Sequence, residues 1–152
     1  MSAEARLREL KIELPPAPKA MGAYKSCIIT GNLAFISGHA PLRADGTRIT
    51  GRVGADLDLA AGQLAARQAG LAILATLRGQ FGSLDRVFRV IKIVGMVNCT
   101  AEFQQHPQVI NGCSELFAEI FGEEKGLGAR SALGVNSLPG NIAVEIEGIF
   151  EV

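Results

Sequence analysis

The chain has 152 residues, and its 15 Lys plus Arg match its 15 Asp plus Glu, so it carries no formal net charge. That length predicts one domain able to bury a core without staples, and the charge balance argues against a strongly electrostatic nucleic-acid or membrane-surface partner. With 48% hydrophobic residues and a mean hydropathy of +0.25, the chain is apolar for its size, and some of that surface is expected to be hidden in an oligomer.

In chain order, Ser2 to Ile12 reads as a short amphipathic helix with Ser2 as its cap and Leu7 and Leu10 on one face. Pro15, Pro16 and Pro18 end it in an extended connector. Two short apolar runs, Ser26–Thr30 and Leu33–Ser37, meet at Gly31-Asn32, a hairpin signal. A turn at Ala44–Thr47 precedes a short strand expected at Arg48–Arg52. Leu57–Phe81 is the long helix; its polar positions are so sparse that most of its circumference should be covered, and Gly82 closes it. Val87–Val97 reads as the longest strand. A second helix follows over Pro107–Phe121, with Val109, Ile110, Leu116, Phe117 and Ile120 facing the core and Pro107 in the first turn. Gly122–Gly128 reads as a flexible, charged loop, and strands Ala129–Val135 and Ile142–Phe150 finish the chain. The partial alternation of strands and helices predicts an α+β domain: a mostly antiparallel sheet with both helices on one face.

Several chemistries find little support. The most apolar stretch, Ala69–Leu77, is far shorter than the ~20 residues a membrane span needs. Ser2–Glu13 is charged and lacks the apolar segment of a secretory signal, so a cytoplasmic location is expected. Cys27, Cys99 and Cys113 are odd in number and widely spaced, which predicts free thiols; Cys113, mid-helix, reads as a small buried group. His39 and His106 are the only histidines and sit in no metal-ligand spacing, so no metal is expected. The glycines form no phosphate-cradling motif and read as turns. With no Trp, one Tyr and no long basic run, stacking platforms and phosphate funnels for RNA are poor. Ser37 has no His and acid arranged to activate it; His39, two residues on, would share its face in a regular strand.

The segment Gly128-Ala129-Arg130-Ser131-Ala132 stands apart. An arginine at a strand entrance can offer its planar fork to a small carboxylate, and Glu145 lies within its reach if the last two strands pair. On residue types alone, a solvated arginine and two solvated glutamates remain the simpler reading. Four segments, however, occur together in one order: Gly22-Ala23-Tyr24, Phe35–Pro41 with Ser37-Gly38-His39, Phe103–Phe117 with Asn111, and Arg130-Ser131 followed by Leu138-Pro139 and Val144–Glu147. This arrangement resembles the RidA/YjgF family of reactive-intermediate imine/enamine deaminases, also described as endoribonuclease L-PSP.

The resemblance runs from about residue 21 to 152 and leaves residues 1–20 as an N-terminal helix and Pro-rich extension. It implies a chorismate-mutase-like fold, a homotrimer with sites in the clefts between subunits, and cofactor-independent hydrolysis of small 2-imino or enamine acids to 2-keto acid and ammonia. It implies that Arg130 binds the substrate carboxylate and that Glu145 handles the attacking water. Tyr24, Ser37, Gly38 and Asn111 would shape the pocket, and the backbone of Ala132 would hold remaining polar atoms. Glu147 should face the same way as Glu145, and the family match, not geometry, selects Glu145. Three positions depart from the pattern: Ala132 stands where the strongest deaminases carry cysteine, His39 where the family has glutamine, and Ala23 where it has proline. A non-catalytic keto- or amino-acid binding protein and an endoribonuclease remain as alternatives.

Overall fold

The computed structural model describes residues 1–152. Its elements run α1 (Ala3–Glu9), β1 (Cys27–Thr30), β2 (Leu33–His39), α2 (Leu59–Phe81), β3 (Arg89–Asn98), α3 (His106–Phe121), α4 (Glu123–Gly126), β4 (Ala129–Val135) and β5 (Val144–Glu151). Short 3₁₀ turns at Leu84–Arg86 and Pro139–Asn141 lead into β3 and β5. The architecture is α+β, with one five-stranded sheet in the order β1-β2-β5-β3-β4. Three of its four pairings are antiparallel; β3 and β4 run parallel, joined through α3.

Local chemistry sets several boundaries. The Asp58 side chain accepts a hydrogen bond from the Ala61 N–H at the start of α2, and Gly82 ends the helix at φ 78°. Gly31, at φ 58°, supplies the positive φ that a two-residue hairpin between β1 and β2 demands. Ser2 caps α1, and Leu7 is buried, whereas Leu10 falls at the C-cap and stays exposed instead of sharing the buried face. No strand forms over 48–52; that segment makes only the isolated bridges Leu42–Arg48 and Thr50–Ile142, because its backbone crosses the end of the sheet and does not run along an edge. The segment 122–128 is not a flexible loop either: its Gly126 packs under the backbone of Phe117, where an added Cβ would lie 2.4 Å from the carbonyl oxygen, and Glu123–Gly126 closes a helical turn.

α2 and α3 pack side by side on one face of the sheet. Small residues on α2 allow the approach. At Gly112 of α3 a Cβ would stand 2.1 Å from the Gln63 carbonyl oxygen, so the two backbones nearly touch. The core between helices and sheet contains Leu74, Leu77, Phe117, Ile146 and Phe150, all fully buried. The strands alternate as expected for a sheet covered on one side: Val144, Ile146 and Phe150 face the helices, while Glu145, Glu147 and Ile149 face away. That opposite face is uncovered and partly apolar, with Ile28 49% and Phe35 40% exposed. The apolar surplus of the sequence is thus spent twice, once around α2 inside the chain and once on the open sheet face. No helix is long and apolar enough to cross a membrane.

Candidate functional site

The order of strands decides the site. β3 lies between β4 and β5, so Arg130 and Glu145 do not sit on paired strands, contrary to the expectation from the sequence. Arg130 also points to the helix face, where its Nη1 donates to Asn111 Oδ1 at 2.8 Å and to Ser114 Oγ at 3.1 Å. Glu145 points to the open face. Within one chain the candidate residues therefore form two half-sites.

The first half-site stands at the free edge of the sheet. Arg130, Asn111 and Ser114 line a cavity of about 340 Å³ together with Ile93, Leu127 and Gly128. Arg130 makes no ion pair. Its two neutral partners fix the guanidinium while leaving its charge uncompensated, which suits an incoming carboxylate. Ser114 is a partner that the sequence did not single out; it lies one helical turn from Asn111, and that spacing alone could have paired them. β4 is an edge strand. The Val135 carbonyl accepts from the Cys99 N–H on the β3 side, so the strand's alternation turns the N–H and C=O of Arg130 and Ala132 outward, free for a partner.

The second half-site is a cavity of about 660 Å³ over the open end of β2 and β5. Its floor is Ser37, Gly38 and Glu145, and Tyr24 forms part of its wall. A bulge shapes the floor: Ile36 pairs with Gly148 and His39 with Ile146, so three steps on β2 answer two on β5. The extra residue reverses the side on which His39 emerges. It does not share a face with Ser37, as a regular strand would require; it turns into the helix layer, only 4% exposed. There its Nε2 meets Thr76 Oγ1 at 2.7 Å and its Nδ1 meets the Ser37 carbonyl at 2.6 Å. With Nδ1 donating to the carbonyl, Nε2 accepts from the threonine hydroxyl. Burial pushes the His39 pKa down, partly offset by the bond to Ser37.

The bulge presents Gly38 edge-on to Glu145. A Cβ at Gly38 would lie 2.7 Å from Glu145 Oε1, so only glycine leaves the carboxylate its place. Burial, and then the neighbouring charge of Glu147, push the Glu145 pKa up. The two glutamates thus share one face, and the charge of Glu147 disfavours ionisation of Glu145. Ser37 Oγ donates to the Lys25 carbonyl at 2.6 Å and Ser37 N–H to the Ser26 carbonyl at 3.0 Å, so this serine anchors β2 to the chain before β1. Tyr24 is 49% exposed, and its hydroxyl accepts from the Met21 N–H at 3.2 Å. Among the wall residues that the sequence did not single out are Lys19 from the N-terminal extension, Met21 just after it, and Arg48 from the loop after β2. Single residues far apart in the chain leave no local pattern by which to find them.

The thiols lie elsewhere. Cys113 is fully buried against α2 and Cys99 is 5% exposed; burial pushes all three cysteine pKa values up. No three His, Cys, Asp or Glu side chains converge as a metal cluster.

The chain as a whole is similar to several known proteins. The family model described as "YjgF/chorismate_mutase-like, putative endoribonuclease" matches residues 4–144. Protein TCP17 of Trypanosoma cruzi is 38% identical over 148 residues, 97% of this chain and 92% of that one. The crystal structure of Atu1372 from Agrobacterium tumefaciens, a protein of unknown function, superposes with a TM-score of 0.89 at 41% identity, covering 99% of this chain and 93% of its own. RidA from an Antarctic Psychrobacter superposes with a TM-score of 0.63 at 26% identity, covering 90% of this chain and 94% of its own.

Proposed function

The chain belongs to the RidA/YjgF family, with its chorismate-mutase-like fold, and from that premise we propose that it is a cofactor-independent deaminase that hydrolyses small 2-imino acids to 2-keto acids and ammonia. The observation that carries the reading is the division of the site. A cation without a counter-ion stands at an open sheet edge, and a carboxyl of raised pKa stands in a cavity on the open sheet face. Each half lacks what the other has. A homotrimer in which the β4 edge of one copy meets the open face of the next would complete both, and would cover Ile28 and Phe35.

In the joined site Arg130 holds the substrate carboxylate and the outward backbone of Ala132 holds remaining polar atoms. Water adds to the imine carbon: the new C–O bond forms as Glu145 takes one water proton and passes it to the imine nitrogen, giving the carbinolamine. Glu145 then takes the hydroxyl proton and delivers it to the amino nitrogen as the C–N bond breaks, which releases the keto acid and ammonia. A pKa raised by burial and by Glu147 helps Glu145 hold the proton between the two transfers. Ala132 offers no thiol, so the chemistry rests on positioning an electrophile that water already attacks readily.

The test is hydrolysis of 2-iminopropionate generated in situ from alanine by an amino-acid oxidase, followed as ammonia and pyruvate release. Acceleration over buffer, reduced by Glu145→Gln roughly 10²–10⁴-fold, supports the proposal. Tight pyruvate binding without acceleration makes the protein a carboxylate carrier, and RNA cleavage that survives Arg130→Ala replaces the proposal with the endoribonuclease activity that the family's description names.

A further inference from the structure

The larger cavity holds more charge than a three-carbon imino acid can use. Its floor carries Glu145 and Glu147. Its lining also includes two cations, Lys19 and Arg48, neither of which makes an ion pair with any carboxylate. The cations do not offset the upward push on Glu145, whose influences are burial and Glu147. Acidic and basic groups therefore line one space without meeting, and the ligand is what would lie between them.

Arg48 is held by its neighbours, and the segment that carries Lys19 is anchored at both ends. Arg48 donates from Nη2 to the Met21 sulfur, and its carbonyl accepts from Arg43 Nη1 at 3.3 Å. The bridge from Leu42 to Arg48 closes this loop over the turn at Gly46. Lys19 rides on the extension, which is fixed at one end by α1 packed on α3, with Arg6 Nε donating to the Glu119 carbonyl at 3.0 Å. At its other end the extension is fixed by the Met21 N–H on the Tyr24 hydroxyl. The cavity, at about 660 Å³, falls in the range that encloses ligands well above three carbons.

We propose that Lys19 and Arg48 form a second anion subsite, and that the preferred substrate is a 2-imino acid bearing a second, distal carboxylate. The inference rests on the deaminase reading and names its substrate class. Arg130 of a neighbouring copy takes the carboxylate beside the reacting carbon; Lys19 and Arg48 take the one at the far end of the chain. The reaction is unchanged in its balance: an imino diacid and water give an oxo diacid and ammonia.

The experiment compares 2-iminoglutarate with 2-iminopropionate, each generated in situ by the matching amino-acid oxidase, on the wild type and on the Lys19→Gln/Arg48→Gln double variant. Both substitutions are at exposed positions, and circular dichroism confirms the fold. The expected result is a wild-type kcat/KM ratio favouring the diacid, and a fall in that ratio of about tenfold or more in the double variant, as for loss of a charge-assisted contact. A ratio near one in the wild type, or one that the double substitution leaves unchanged, overturns the inference while leaving the deaminase reading standing. If neither imine is hydrolysed, the deaminase reading fails alone and calorimetry decides the subsite. Tighter binding of 2-oxoglutarate than pyruvate, lost in the double variant, sustains it; equal binding of the two ends it.

Discussion

Arg130 and Glu145 carry opposite demands, and each can be tested by a change of one group. Replacing Arg130 by Lys keeps the charge but loses the fork that Asn111 and Ser114 orient. We expect both Arg130→Lys and Arg130→Ala to lower affinity for pyruvate by about one to two decades, with the fold intact, because the half-buried guanidinium lies at a cavity mouth and not in the core. A titration of keto-acid binding reads this directly; wild-type affinity in Arg130→Ala returns the residue to a solvated surface arginine. For Glu145 the sign of the pKa shift yields a pair of results. A carboxyl raised in the fold is bound more readily by a proton there than in the unfolded chain, so its ionised form destabilises the protein above the raised value, and that cost vanishes below the ordinary carboxylate range. Glu145→Gln is expected to melt higher than wild type near neutral pH and equally at about pH 4, while losing turnover. Wild-type turnover should fall as pH drops through the raised value, and the variant should lack that limb. His39 obeys the opposite sign. Its neutral ring is favoured by burial, so the stability it lends is complete above about pH 6.5 and is lost as pH falls from there toward its depressed value. His39→Gln should flatten this part of a stability–pH profile; an unaltered profile would place the acid sensitivity elsewhere.

At the scale of elements, the bulge in β2 and the contact between α2 and α3 are the two places where one methyl group is too much. Gly38→Ala puts a Cβ 2.7 Å from Glu145 Oε1. The carboxylate is the end of a side chain and can yield, so the fold should survive. Its displacement should cost turnover roughly 10²-fold, with a crystal structure showing Glu145 moved. Gly112→Ala meets something that cannot yield, the Gln63 backbone carbonyl at 2.1 Å. There the helices must separate, and a loss of about 1–3 kcal/mol is expected in denaturant unfolding. The reverse pattern, in which Gly38→Ala unfolds the protein and Gly112→Ala is silent, would contradict the packing described. Between these helices the Arg67–Glu119 pair bonds through the two terminal guanidinium nitrogens at 3.2 and 2.8 Å. With both side chains more than a third exposed, it adds little beside the buried apolar contacts.

For the whole molecule, the question is what covers the open sheet face. A second copy is the proposed occupant, and light scattering should report three chains per particle at micromolar concentration. Phe35→Asp, at an exposed position on that face, should shift the particle toward monomer and abolish imine hydrolysis without unfolding the chain. A wild-type monomer that hydrolyses imines would remove the need for a shared site. The thiols should have no part in it: with Cys99 and Cys113 buried and all three pKa values pushed up, iodoacetamide should label the native protein slowly and leave turnover intact.

What the sequence determined by itself lies where neighbours along the chain decide the outcome. Gly82 ends α2, Gly31 turns the first hairpin, and the span Ala129–Val135 is a strand in both sequence and structure. Each is a local matter of capping, φ or alternation. The four ordered motifs likewise gave the family, and Arg130 and Asn111 do meet. The tertiary structure decided the rest. Pairing order is set by contacts between distant segments, and placing β3 between β4 and β5 sent Arg130 and Glu145 to opposite faces of one sheet. The bulge that turns His39 inward depends on β5 lying opposite β2, a partner more than a hundred residues away. Lys19 and Arg48 share a cavity only because the extension and a loop converge over the same sheet end. None of these is encoded in a short pattern, since burial of a common core, not adjacency in the chain, brings the segments together.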